Sequence, residues 1–152
     1  HNFKYFIIFF MEHLHHRERF LRHTLSAPFI YSVFFAFLVL DILVEIYHRI
    51  CFPLYGLPLV DRNKYIKFDR HKLPYLSFVQ KINCTYCSYG NGLIAYVKEI
   101  VAQTEIYWCW IQSKKDPNFI PPEHHKNFLP YGDEKAFFEK YGKKDKDCKL
   151  FH

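Results

Sequence analysis

At 152 residues the sequence leaves room for one compact domain, or for a membrane helix plus a domain of about 100 residues, and no more. Aromatic residues make up 20% of it, with 17 Phe and 12 Tyr, which exceeds what a small soluble core needs and suits contact with lipid headgroups. The net charge of +6 could attract nucleic acid or anionic lipid, and the apolar segment described below makes lipid the simpler partner.

Residues 3–23 join FKYFIIFF to the basic, histidine-rich stretch EHLHHRERFLRH. The segment is helix-compatible and cationic, as expected of an interfacial helix leaning on anionic lipid or of a solvated lead-in. Phe6–Met11 is too short for the apolar region of a cleavable secretory signal, and charges follow where small residues would mark a cleavage site. The chain opens on His1 and not on Met, as expected of a fragment or processed product, and Met11 is a candidate start.

Thr24–Val44 reads TLSAPFIYSVFFAFLVLDILV, with Asp41 its only charge. Such a run is long enough to cross or deeply enter a bilayer, and a membrane helix is expected over 24–50. Ser26 is its expected cap and Pro28 falls in its first turn, where proline is tolerated. CFPLYGLP is expected to stop it, since Pro53, Gly56 and Pro58 do not continue a helix smoothly. Asp41, Glu45 and His48 follow the i, i+4, i+7 spacing of one helical face. Glu45-x-x-His48 has the spacing of half a di-iron motif, and the expected role is instead contact with a partner where the helix leaves the bilayer.

Lys4, Arg17, Arg19 and Arg22 precede the apolar helix, while Arg49, Arg62, Lys64, Lys67, Arg70 and Lys72 follow it. The excess after the helix predicts a cytoplasmic C-terminal domain at an inner membrane. Basic residues on both flanks also suit a helix that dips into one leaflet and returns; a single span is preferred narrowly.

LVDRNKYIKFDRHKLP, at 59–74, alternates charged and apolar residues and predicts extended chain or short strands. Tyr75–Ile82 is a short helical candidate. Leu93–Trp108 is an amphipathic helix whose face carries Leu93, Val97, Ile100, Val101, Thr104 and Trp108. Four prolines make 116–131 an irregular wrapping segment. Asp133 caps a last short helix ending near Gly142, and the tail is expected to be mobile. The expected layout is a basic interfacial helix at 1–23, a membrane helix at 24–50, a compact Cys-containing domain at 51–142 and a tail at 143–152.

Five cysteines, at 51, 84, 87, 109 and 148, form an odd set, so at least one thiol stays unpaired in a monomer. Reduced thiols on a cytoplasmic face are the expected state. NCTYCSYGNG, at 83–92, has a Cys-x-x-Cys followed by Gly90 and Gly92, the spacing of a metal knuckle for zinc or iron. Cys84 and Cys87 need two further ligands. Cys109 and His124 complete a set on paper, although a continuous helix over 93–108 would hold Cys109 far from Cys87. Cys51 is the easier third ligand. Two other readings stay open: thiol–disulfide exchange by the pair, and buried structural cysteines beside a glycine notch that lets another helix approach.

CFPLYGLPLV, FDRHKLPYL, KINCTYCSYGNGLIAYVKEI and TEIYWC together resemble the motif block of a small bacterial membrane-anchored family. The resemblance covers about residues 25–133 and implies a helical N-terminal region, one membrane segment and a bacterial inner-membrane setting, without a reaction. It places Cys51, Cys84, Cys87, Cys109, Asp69, Arg70 and Tyr107 on motif positions. Relatives carry Pro and His shortly after YWC, where this chain has WIQSKK, so no ligand histidine is available there. The N-terminal region is also shorter than theirs.

The sequence therefore predicts a mainly α-helical, membrane-anchored protein with a small aromatic-rich domain. Its expected role is that of a non-catalytic accessory or scaffold within a membrane protein complex, stabilised at Cys84 and Cys87 by a structural metal. A membrane-tethered thiol redox or metal-handling protein is the alternative. Asp69–Arg70 is expected to form a local ion pair.

Overall fold

The computed structural model describes residues 20–141, so the expected tail and all but the end of the expected interfacial helix lie outside them. The described chain is mainly helical, as predicted. It comprises α1 (Phe20–Tyr55), α2 (Phe78–Trp108) and α3 (Glu134–Tyr141), with short 3-10 turns at Arg62–Lys64, Arg70–Lys72 and Glu123–Asn127. No strand occurs among the described residues, and residues 59–74, expected as extended chain or short strands, are irregular chain with two of the 3-10 turns.

α1 is 36 residues long, about 54 Å, and starts upstream of the expected Ser26 cap. Pro28 and Pro53 both lie inside it. Its stop comes later than Pro53 and is made by Gly56, whose φ of +71° is the left-handed value that glycine adopts without a Cβ penalty. Gly56 N–H donates to the Pro53 carbonyl and Leu57 N–H to the Phe52 carbonyl, at 3.1 and 2.9 Å, the paired bonds of a Schellman motif. Leu57 then packs against the core that holds Phe52.

The chain divides into two compact units, His1–Ile100 and Val101–His152. In the first, α1 and α2 lie side by side and run in the same direction. Tyr31 donates to the Asn83 side chain at 2.6 Å, Phe34 meets Tyr86 and Tyr89, and His48 meets Tyr96. A parallel pair needs a return connection, and residues 57–77 supply it by running back along both helices. Val60 sits at His48, Arg62 at Asp41, and Phe68 stacks on Tyr89. Phe52, Ile66, Tyr89, Leu93, Tyr96 and Ile100 form the core. The buried face of α2 is thus 89–93–96–100, and Val101 and Trp108, expected on it, are exposed.

The predicted helix at 93–108 and residues 78–82 of the one predicted at 75–82 are parts of one helix, α2, which runs through the Cys-x-x-Cys and both glycines. Glycine is tolerated there because of close packing. A Cβ on Gly92 would stand 2.6 Å from the Tyr65 carbonyl oxygen, and one on Gly90 would stand 2.7 Å from the Phe37 ring. SYGNG is therefore a packing notch, one of the readings left open by the sequence.

The second unit opens with the last turns of α2. Beyond them, the segment at Trp110–Gln112 pairs with Leu129 through two backbone bonds of 2.7 and 2.8 Å. Gln112 Nε2 donates to the carbonyls of His125 and Phe128, which clamps the 3-10 turn to this segment. Asp133 caps α3 as predicted, accepting from Ala136 N–H at 2.9 Å. Asp69 makes no ion pair with Arg70 among the described residues; it precedes the 3-10 turn at Arg70–Lys72 instead.

Candidate functional site

Two polar clusters stand out, one in each unit. The first is built on the α1 face that carries Asp41, Glu45 and His48. All three engage the chain's own residues. Arg62 makes a two-pronged contact with the Asp41 carboxylate, its Nη2 lying 2.7 Å from Oδ2, and also donates to Glu45 at 3.0 Å. Tyr89 donates its hydroxyl to Asp41 at 2.7 Å. Arg49, one turn beyond Glu45, donates to its other oxygen at 2.8 Å.

His48 is buried, and its neighbours fix its tautomer. Nε2 accepts from Val60 N–H at 2.9 Å, so the ring proton sits on Nδ1, 3.0 Å from the Tyr96 hydroxyl. Tyr96 in turn donates to Glu45 at 3.1 Å, which closes a relay from the Val60 amide to a carboxylate. Burial, together with the neighbouring carboxylates, pushes the Tyr89 and Tyr96 phenols up to about 12. A cleft of about 860 Å³ opens beside Asp41 and Arg62, walled by Tyr31, Phe34, Phe68 and Tyr86. Among the described residues no buried side-chain donor or acceptor of this cluster lacks a partner, an arrangement that fixes the two helices and the return segment in register.

The second cluster is Glu105, His124 and His125. Nε2 of His124 lies 2.7 Å from one Glu105 oxygen, and Nε2 of His125 lies 2.9 Å from the other. The bond from His124, with the weaker one from His125, holds the Glu105 carboxyl below the usual carboxylate range. The two rings stand edge-on to one another, and the His125 ring stacks on Phe128. His125 Nδ1 is the buried side-chain atom left without a hydrogen-bond partner among the described residues. His125 also lines a cleft of about 640 Å³ whose walls carry Lys114, Lys115 and Lys126.

Of the residues expected to ligate a metal, only His124 falls in a group of three potential ligands among the described residues. Cys51, Cys84, Cys87 and Cys109 are free thiols. Cys84 and Cys87 lie in the interior of α2, where no turn closes around them, and Cys109 belongs to the other unit. They also sit more than one turn inside α2, away from the N-terminal amides that activate a thiol. Glu105 does not stand out in the sequence, and Arg62 enters there only as a flanking charge. The sequence offers His124 as a candidate ligand, but the carboxylate it meets is 19 residues upstream, a separation that carries no local signal. No protein-family profile, curated protein or solved structure matches this chain.

Proposed function

We propose that this chain is a non-catalytic accessory protein that lies on one face of a membrane, with α1 in the plane of the interface. The observation that carries this reading is the outward face of α1. Leu25, Phe29, Phe35, Ile42, Ile46 and Leu54 are exposed along it, and Arg22 and Arg49 are the only charges exposed among its described side chains. By length and composition α1 could cross a bilayer. Its opposite side argues for the plane. The return segment beside it carries Arg62, Lys64, Lys67, Arg70 and Lys72, and a spanning α1 would draw these into hydrocarbon at about 2.5–3.5 kcal/mol or more for each charge at the centre. An in-plane helix buries only its outward stripe, while Arg22 and Arg49 reach the headgroups.

The state of the polar residues supports an accessory role. Asp41, Glu45 and His48 are tied to Arg62, Tyr89 and Tyr96, so the first unit offers a braced scaffold behind a lipid-facing surface. The basic balance and the resemblance to a bacterial membrane-anchored family favour the cytoplasmic face of an inner membrane carrying anionic lipid.

Vesicle flotation tests the reading. Protein added to preformed anionic vesicles should float with them and remain digestible by protease added outside, with no protected fragment of membrane-spanning size. A chain that stays monomeric in solution beside the vesicles, without detergent, would rule out membrane attachment. A protected fragment containing α1 would replace the in-plane arrangement with a spanning one.

A further inference from the structure

The Glu105–His124–His125 cluster does not depend on the membrane reading and is not explained by it. The geometry points to a site for one divalent transition-metal ion, held by a Glu105 oxygen and the Nε2 atoms of His124 and His125, with at least one coordination position open. Two imidazoles and one carboxylate are the donor set that zinc and iron(II) accept while keeping an exchangeable position. The three ligand atoms already lie within 4.8 Å of one another. Zinc bonds to such atoms are about 2.0–2.2 Å long, so shifts of well under a side-chain length would bring them onto one ion.

The proton inventory permits the exchange. In the hydrogen-bonded form each Nε2 faces a carboxylate oxygen and donates its proton to it. A neutral imidazole ligates by carrying that proton on Nδ1 instead, so neither ring has to lose a charge. His125 Nδ1 is buried and unpartnered in the hydrogen-bonded form, and moving the proton there exchanges an unmatched acceptor for an unmatched donor. The His125 ring is held in place by Phe128 and by the Gln112 bond to the His125 carbonyl, which limits the entropy lost on binding an ion.

The test uses the full chain, stripped with a chelator and titrated with Zn²⁺ in competition with a chromophoric chelator. One equivalent should bind at micromolar or tighter affinity. His124→Ala and Glu105→Gln should each weaken binding by more than about tenfold, while Cys84→Ser/Cys87→Ser/Cys109→Ser should leave it unchanged. Circular dichroism of each variant separates a lost ligand from a lost fold. If Glu105→Gln unfolds the second unit, the Co²⁺ spectrum of the unmodified chain decides: d–d bands without thiolate-to-cobalt charge transfer support the site. Absence of stoichiometric binding overturns it, as does a thiolate band that disappears in the triple cysteine variant.

Discussion

Arg62 reaches back over 21 residues to grip both oxygens of Asp41, and the same guanidinium lies 5.6 Å from the centre of the Tyr96 ring. One side chain thus joins α1, the return segment and α2. Removing it would leave two carboxylates facing a partly desolvated pocket without their main counter-ion. Arg62→Met is expected to destabilise the first unit by about 2 kcal/mol, less than for a fully buried pair because the Arg62 side chain is 33% exposed. Asp41→Asn in the same background should recover part of the loss. Thermal unfolding followed by circular dichroism reads both, and a double variant no better than Arg62→Met would show that the two residues are not coupled.

The two helical glycines should respond unequally to alanine. At Gly92 the obstacle is the backbone at Tyr65 and Ile66, which cannot move aside without shifting the return segment. At Gly90 it is the edge of the Phe37 ring, which can rotate. Gly92→Ala should therefore cost about 1–3 kcal/mol, more than Gly90→Ala, where the helix propensity gained offsets part of the strain. Equal melting temperatures for the two variants would contradict the notch.

Alkaline pH should loosen the first unit. Burial first, and then the carboxylates of Asp41 and Glu45, raise the Tyr89 and Tyr96 phenols from 10.0 to about 12. A group raised on folding contributes stability that is fully present below its unfolded value and is lost as pH climbs through the folded one. The loss therefore falls between about pH 10 and 12. Tyr89→Phe and Tyr96→Phe should each flatten that decline, a difference measurable as melting temperature against pH.

On the outward face of α1, Phe35→Ser with Ile42→Ser should weaken vesicle binding about tenfold or more, since each side chain contributes up to about 1.5–3 kcal/mol when taken out of water. The same changes should leave the melting temperature in detergent nearly unchanged, because both residues are exposed in the folded chain. A large drop in melting temperature would show that this face packs against protein.

The apolar run from Thr24 announced α1 because composition and length alone separate such a segment from a loop. Its end falls at Tyr55, inside the CFPLYGLP stretch expected to stop it and beyond the expected residue 50. A proline in the last turns forfeits one amide bond, whereas the chain turns only where Gly56 can take positive φ. α2 was divided in two for a related reason. Gly90 and Gly92 weaken a helix locally, and only the approach of Phe37 and Tyr65 makes them favourable. The i, i+4, i+7 alignment of Asp41, Glu45 and His48 was legible, but the groups that engage them sit on other segments, which periodicity does not report.

During synthesis, Asp41 leaves the ribosome well before the guanidinium that neutralises it, whereas Glu45 meets Arg49 four residues later. At about 5–20 residues per second, a gap of 21 residues corresponds to roughly 1–4 s in which the oily helix carries Asp41 as an unmatched anion. Pushing it across a bilayer in that interval would carry that anion into hydrocarbon. The order of translation therefore favours a chain that first closes on itself and only afterwards settles onto lipid.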